Sequence, residues 1–338
     1  MTTERGRGSP VYMIRPRRLA LLSLAVIVVA CSPSGASAPV GSTATGGGAS
    51  GAPSLGDPNA DKLAQVIDRG TLVLSTDIAY PPQSFSVAGA QRLADTKCAA
   101  KALTGPEVDG YDVETGKLVA AALGVEPCFV VPSWTEITGG NWGDRWDIAY
   151  GSGSINADRM TRLWMTQPYY GVPNHFFVRA DSSYQKATDL NGKQIGACAS
   201  CSHEYYLKGE LEIPGTDIVV EVQDPKIVTY ETEPSGLQDV ADGKIDAFLA
   251  AAPVGNEAIK EGLDLRPIEK PAFTYYPSGF VDKGSGMDSK AFLARVNEII
   301  RGLQADGTLK ATSMEFFGAD FAQAGADFDL DAIGQVVP

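Results

Sequence analysis

Residues 147–170 read Asp147-Ile148-Ala149-Tyr150-Gly151-Ser152-Gly153-Ser154-Ile155-Asn156-Ala157-Asp158-Arg159-Met160-Thr161-Arg162-Leu163-Trp164-Met165-Thr166-Gln167-Pro168-Tyr169-Tyr170. A short apolar strand runs into glycines and small hydroxyl residues, an arginine follows, and a Pro-Tyr-Tyr turn closes the stretch. Small residues let a ligand come close to backbone N–H and C=O groups. An arginine adds a planar fork of donors suited to a carboxylate. The stretch describes a site for a small anionic or zwitterionic molecule.

Around it, strands and helices alternate. Residues 71–76 form an apolar strand leading into Asp77 and the turn Tyr80-Pro81-Pro82. Tyr111, Thr115, Leu118 and Ala122 recur at helical spacing, and Gly124 ends that helix. Residues 128–131 and 146–150 are the next strands. A second α/β unit follows: a strand at 193–197, helix from Glu204, strand at 227–230, helix at 235–242 closed by Gly243, and strand at 245–250. Late in the chain Phe292, Val296, Ile299, Ile300 and Leu303 mark one face of a helix, with Asp288 as its cap and Gly307 at its end. Residues 86–108 look like a polar, irregular insertion holding Cys98. There is no internal repeat at a fixed short period. This is βαβ grammar, an α/β fold with sites at the carboxyl ends of strands.

The N-terminus has a different composition. Arg15, Arg17 and Arg18 precede the apolar run Leu19 to Ala30, twelve residues, too short to span a bilayer but suited to a signal-peptide core. The run ends Val28-Val29-Ala30-Cys31, which looks like a bacterial lipobox with Cys31 as the lipidated residue; an ordinary secretory signal with an incidental cysteine is the alternative. The surroundings of Arg17-Arg18 match a twin-arginine signal poorly. Residues 1–30 are therefore expected to be a lipoprotein signal peptide. Residues 31–56 are expected to be the lipidated cysteine plus a Gly/Ser/Ala tether, a composition that cannot bury a core.

The 338 residues carry a net charge of −13, and −17 once the five Arg and one Glu of residues 1–30 are gone. That balance argues against a nucleic-acid partner. Four cysteines remain after Cys31, an even number that suits two disulfides in an oxidising compartment. Of three pairings, Cys98–Cys128 with Cys198–Cys201 is favoured, since the latter two lie three residues apart. A redox Cys-x-x-Cys is the alternative for 198–201, although it lacks aromatic flanks. A zinc site is disfavoured, with only His175 and His203 as imidazoles. No metal or other cofactor is expected.

In order and spacing these landmarks resemble the extracytoplasmic solute-binding proteins that serve ABC importers of polar amino acids. The resemblance runs from Leu63 to Gly318. It is carried by Gly70-Thr71-Leu72, Asp77, Tyr80-Pro81-Pro82, Gly110-Tyr111-Asp112-Val113, the 147–159 stretch and Pro168-Tyr169-Tyr170. It continues through Asp189-Leu190-Asn191-Gly192-Lys193, Ile195-Gly196, Gly243-Lys244-Ile245-Asp246-Ala247 and Ala305-Asp306-Gly307-Thr308-Leu309. It implies an α/β, two-lobed periplasmic-binding-protein-like clamp of type II, each lobe a mixed sheet flanked by helices. Lobe one would be 57–171 plus 275–338 and lobe two 172–274, with crossings near 171–176 and 273–279. Ligand would bind in the cleft and the lobes close over it by a hinge motion.

The resemblance also assigns roles. Arg159 aligns with the arginine that clamps the ligand carboxylate. Ser154 aligns with the residue that meets carboxylate and amine, and Ser152 with one offering its carbonyl. Trp134 and Tyr80 fall on opposite aromatic walls. Asp77 aligns with an acid that meets the distal charge of basic ligands. Cys201 and Ser202 sit on a helix start whose N–H groups would face the carboxylate. One departure stands out: the aspartate that meets the ligand ammonium in this family is here Ala251. An ammonium enclosed without a counter-charge is costly, so Asp77 or Glu204 would have to supply it, or the ligand lacks an ammonium. The implied protein is a monomeric, membrane-anchored lipoprotein that captures an amino acid or related small carboxylate and hands it to the permease of an ABC importer. A dehydratase of cyclic carboxylic acids is the alternative, since enzymes of that kind share the fold and could dispense with the acid at 251; against it, the sequence offers no obvious acid–base pair. A receptor lobe is disfavoured, as no spanning segment follows the signal.

Overall fold

The computed structural model describes residues 56–337. The signal peptide, Cys31 and nearly all of the tether lie outside the described residues. Among those described, no helix is long and apolar enough to cross a membrane.

Two six-stranded mixed sheets, each flanked by helices, form two lobes. The first runs, edge to edge, Leu103–Thr104, Glu126–Val130, Thr71–Ser75, Ile148–Ala149, Phe280–Asp282, Leu163–Met165. Its three central strands are parallel, and the outer three run antiparallel to their neighbours. The second runs Lys226–Tyr230, Gln194–Cys198, Ala247–Ala251, Val172–Arg179, Leu265–Pro267, and Phe273–Tyr275 also pairs with Val172–Arg179. The chain thus enters the second sheet on one strand and leaves it on a neighbour, with Tyr275 opposite Val172. A small third sheet joins Ala79–Tyr80, Ser84–Ser86 and Val108–Asp109.

Local chemistry accounts for the elements. Helix Tyr111–Leu123 follows Gly110, whose positive φ of 124° and close approach to the Gln83 carbonyl leave no room for a Cβ, and it ends on Gly124 in the left-handed conformation. Its Tyr111, Val113, Val119 and Ala120 are buried in the core. In the other lobe, helix Glu233–Ala241 lies against the strand Ala247–Ala251, and a Cβ on Gly236 would collide with the Phe248 ring. The long helix Lys290–Ala305 buries Phe292, Val296, Ile299 and Ile300. Its cap position is Ser289 rather than Asp288, and Asp288 instead accepts from the Lys290 N–H.

The 86–108 segment is less irregular than its composition suggests. Leu103–Thr104 adds an edge strand beside Cys128 and Phe129, and the Cys98–Cys128 disulfide ties the preceding loop to the same strand. Arg92 holds the loop further, donating to the carbonyls of Ala102 and Cys98. Two-residue strands carry too little periodicity to be recognised, which is why the small third sheet was not expected either.

Candidate ligand-binding cleft

Between the two sheets lies a cavity of about 140 Å³. All eight expected ligand-binding residues line it: Asp77, Tyr80, Trp134, Ser152, Ser154, Arg159, Cys201 and Ser202. They come from both lobes: Tyr80 from a short strand, Trp134, Arg159 and Ser202 from short helices, and the others from the loops between elements, near the carboxyl ends of the sheet strands.

Arg159 is the centre of the first-lobe wall. It sits on the single-turn helix Ala157–Met160, whose cap Asn156 accepts from the Arg159 N–H at 2.8 Å. Its guanidinium is 1% exposed as part of the residue, donates to Ser154 O at 2.8 Å and to Ser200 O at 3.3 Å, and lies 5.1 Å from the Trp134 ring. Nε has no partner, and among the described residues Arg159 makes no ion pair; the adjacent Asp158 is taken by Arg162 at 2.6 Å. Burial pulls its pKa down to about 10, so it remains charged at neutral pH.

The serines are used differently from one another. The Ser154 hydroxyl is spent within the protein, accepting from Tyr276 N at 3.2 Å and donating to Ile155 O at 3.1 Å. Ser152 has a positive φ of 58° and sends its hydroxyl away from the cavity, donating to Asp112 Oδ2 at 2.6 Å. Asp112 is buried beneath the floor and also accepts from Tyr169 at 3.0 Å; burial raises its pKa to about 7. Ser202 keeps a buried hydroxyl without a partner.

The second-lobe wall is the Cys198–Cys201 loop. Both sulfurs are joined in a disulfide, so neither is the thiolate that zinc binding would need. Between them Ser200 adopts a left-handed conformation (φ 57°) and turns its carbonyl across the cleft to Arg159 and to Trp134 Nε1, each at 3.3 Å. The Ala157 N–H also crosses, to Glu212 O at 3.0 Å. The lobes are thus in contact at this loop and at Glu212.

Position 251 supplies no acid to the cavity, but another element does. Ala251 is fully buried at the start of helix Ala252–Lys260 and lines no part of the cavity. Glu204 is unsuitable too: it accepts from Ser200 N at 2.6 Å and pairs with Lys208 at 2.7 Å. Glu233, at the head of its helix, lines the cavity instead and is 2% exposed. The Ala251 N–H and Tyr80 hydroxyl favour its ionised form, but burial dominates and raises its pKa to about 8. Beside it His203, 3% exposed, places Nδ1 at 3.2 Å from Glu233 Oε1, and its Nε2 donates to Asn174 Oδ1 at 2.7 Å. Burial holds the His203 pKa down at about 3. Asp77 lines the cavity from the first lobe, with Oδ1 accepting from Ala79 N at 2.9 Å. Tyr275 faces Tyr80, hydroxyls 3.5 Å apart.

Glu233, His203 and Tyr275 were missed from sequence. Glu233 was within reach, since it lies three residues beyond the strand Lys226–Tyr230 and so at a carboxyl strand end. His203 and Tyr275 carry no local signal; they meet only once the crossing strands pair.

Fold and cleft together define a two-lobed solute-binding protein. The family model for bacterial extracellular solute-binding proteins, family 3, matches residues 99–319, and the chain belongs to that family. The chain is 27% identical over 260 residues to the L-cystine-binding protein TcyJ of Escherichia coli (strain K12), covering 76% of this chain and 86% of the relative. It is 28% identical over 222 residues to the probable amino-acid-binding protein YxeM of Bacillus subtilis (strain 168), covering 63% and 78%. Among solved structures, Tv2483 bound to L-arginine superposes with a TM-score of 0.64 at 17% identity, over 81% of this chain and 100% of that one. The ancestral amino acid-binding protein AncCDT-1, a precursor of cyclohexadienyl dehydratase, gives 0.60 at 22%, over 76% and 100%.

Proposed function

We propose that this protein captures an amino acid or a related small carboxylate between its lobes and delivers it to an ABC importer, held at the outer face of the cell membrane by lipid on Cys31. The observation that carries this reading is Arg159, a buried cation in the cavity wall with an unused Nε donor and no counter-ion among the described residues. A buried charge without a partner is expensive, and a ligand carboxylate supplies the partner. Trp134 and Tyr80 flank the space, and Ser202 offers a free hydroxyl. The relatives named for cystine and amino-acid binding support the ligand class. In this reading lobe one is 57–171 plus 275–338 and lobe two is 172–274, with 1–30 a signal peptide and 31–56 the anchor and tether.

The test is a thermal-shift screen of the chain from Asp57 onward against L-amino acids, their derivatives and small organic acids. A ligand stabilises the folded state by mass action. Arg159→Ala abolishes the shift; a mutant that shifts like wild type removes the reading.

One observation favours a second reading, an enzyme eliminating water from a cyclic carboxylic acid. The Glu233–His203 pair provides the acid–base couple that the sequence did not reveal. Turnover of a prephenate-like acid, followed by absorbance, separates enzyme from binder.

A further inference from the structure

Glu233 and His203 form a contact that makes sense only with a proton in it. Asn174 donates both amide hydrogens, to Val172 O at 3.0 Å and to Phe273 O at 3.4 Å, which identifies its Oδ1 as the acceptor facing His203. His203 therefore donates from Nε2, and the neutral ring leaves a bare lone pair on Nδ1. That lone pair faces Glu233 Oε1 at 3.2 Å and the two disulfide sulfurs at 3.3 and 3.4 Å, none of which can donate to it while Glu233 is ionised. Two lone pairs cannot face each other at this distance in a buried site, so a hydrogen must lie between them.

It belongs to Glu233. A charged His203 would have to coexist with the Arg159 guanidinium, which disfavours it, in a site where burial already does so. Around Glu233 the other titratable groups are Tyr80, Tyr275 and Asp77; the acidic Asp77 favours protonation. The carboxyl thus donates from Oε1 to His203, and Oε2, buried and without a partner, is left at the cavity.

Building on the carboxylate-capture reading of Arg159, we propose that Glu233 is the seat for a cationic nitrogen of the ligand, replacing the acid absent at Ala251, and that it releases its proton when the ligand binds. An incoming ammonium needs a carboxylate, not a carboxylic acid. The ligand arrives as a zwitterion, the Glu233 O–H bond breaks and that proton leaves to solvent, and the ammonium takes its place, donating one hydrogen to the carboxylate and one to the Nδ1 lone pair of His203, residues that both line the cavity. The Ala251 N–H and the Tyr80 hydroxyl then hold the carboxylate, and the net count is one proton released per ligand bound. The ligand class is a compact molecule with one carboxylate for Arg159 and one ammonium for Glu233. Affinity for it rises with pH below about 8 and levels above, because the free site must first give up a proton.

The experiment uses the whole chain and a panel of L-amino acids, including L-cystine, each paired with its counterpart lacking the α-amino group. Calorimetry in two neutral buffers of different ionisation enthalpy counts protons. The expected result is tight binding of an amino acid, release of about one proton per site, and at least ~30-fold weaker binding of its des-amino counterpart, the scale for removing one partner of a buried charge pair. Glu233→Gln should lose a similar factor for the amino acid, little for the counterpart, and all proton release. Equal binding of both partners with no proton release in wild type overturns the inference while leaving Arg159 its role. The wild-type proton count stands even if the variant fails to fold. Failure of every panel member to bind folded wild type overturns the inference and the reading beneath it together.

Discussion

Asp147 and Arg159 lie on the same stretch and are hidden alike, 2% and 1% exposed, yet they are treated in opposite ways. Asp147 sits behind the first sheet, where Lys62 approaches at 3.5 Å, Arg69 binds its Oδ2 and the Val73 N–H donates at 2.8 Å. Every strong demand of that charge is met by the protein. Arg159, at the cleft, has carbonyls for two of its nitrogens, an idle Nε and no carboxylate among the described residues. In the reading proposed for Arg159, the same burial therefore signals structure in one place and a ligand site in the other. What separates them is whether the counter-charge is built in.

The sharpest way to break that contrast is to remove each charge. Asp147→Asn leaves Lys62, buried and cationic, without its carboxylate, and breaking a buried pair costs about 3–5 kcal/mol. We expect a large fall in melting temperature with ligand affinity preserved in the folded fraction. Arg159→Met should do the reverse, leaving the ligand-free protein as stable or more so while abolishing binding. Thermal melts of both variants with and without ligand decide it; an Arg159→Met protein that melts as early as Asp147→Asn would mean that Arg159 is structural after all.

The two disulfides extend the comparison. Cys98 and Cys128 are 30 residues apart and Cys198 and Cys201 only 3. By loop-closure entropy the first is worth about 3.5 kcal/mol and the second about 1.5 kcal/mol. Cys98→Ser with Cys128→Ser should lower stability, read by denaturant unfolding, without touching affinity. Cys198→Ser with Cys201→Ser should cost less stability but weaken binding, because the loop that presents Ser200 and Ser202 loses its pre-ordering. Affinity and closure unchanged in the second pair would show that the bond only staples a turn.

How much of this was written in the chain follows the same division. The strands read at 71–76, 128–131 and 193–197, which the structure places at Thr71–Ser75, Glu126–Val130 and Gln194–Cys198, were legible as short apolar runs, and the helix Tyr111–Leu123 by its repeating buried face and the glycine that ends it. Arg159, Trp134 and the small residues between were legible because they stand in one continuous stretch or at ordered landmarks. Glu233 and His203 were not. Their roles depend on the proton between them, and that depends on Asn174, a residue on a crossing strand whose orientation is set by Val172 and Phe273. Ala251 showed that an acid was missing; only the packing of the helix Glu233–Ala241 beside that strand shows where another one stands.

A slope with pH, spread over several units, sharpens the contrast at a third place. Asp112, under the cleft floor, is a buried acid with hydroxyl donors but no cation. Its pKa rises from 3.8 to about 7, so the folded state holds a proton that the unfolded chain has already released. The folded state binds more protons across that window, and stability must fall as pH rises from about 4 to about 7, then flatten. Glu233 has the same sign over a window from 4.5 to about 8. In melts of the ligand-free protein, Asp112→Asn should remove the lower part of the slope and Glu233→Gln should reduce it nearer pH 8. Saturating amino acid should cancel only the Glu233 part, since the ammonium makes the carboxylate the favoured form there and does nothing for Asp112. If the slope is absent in wild type, or survives both substitutions, these two carboxyls are not the unpaired acids that distinguish the cleft from the sheet behind it.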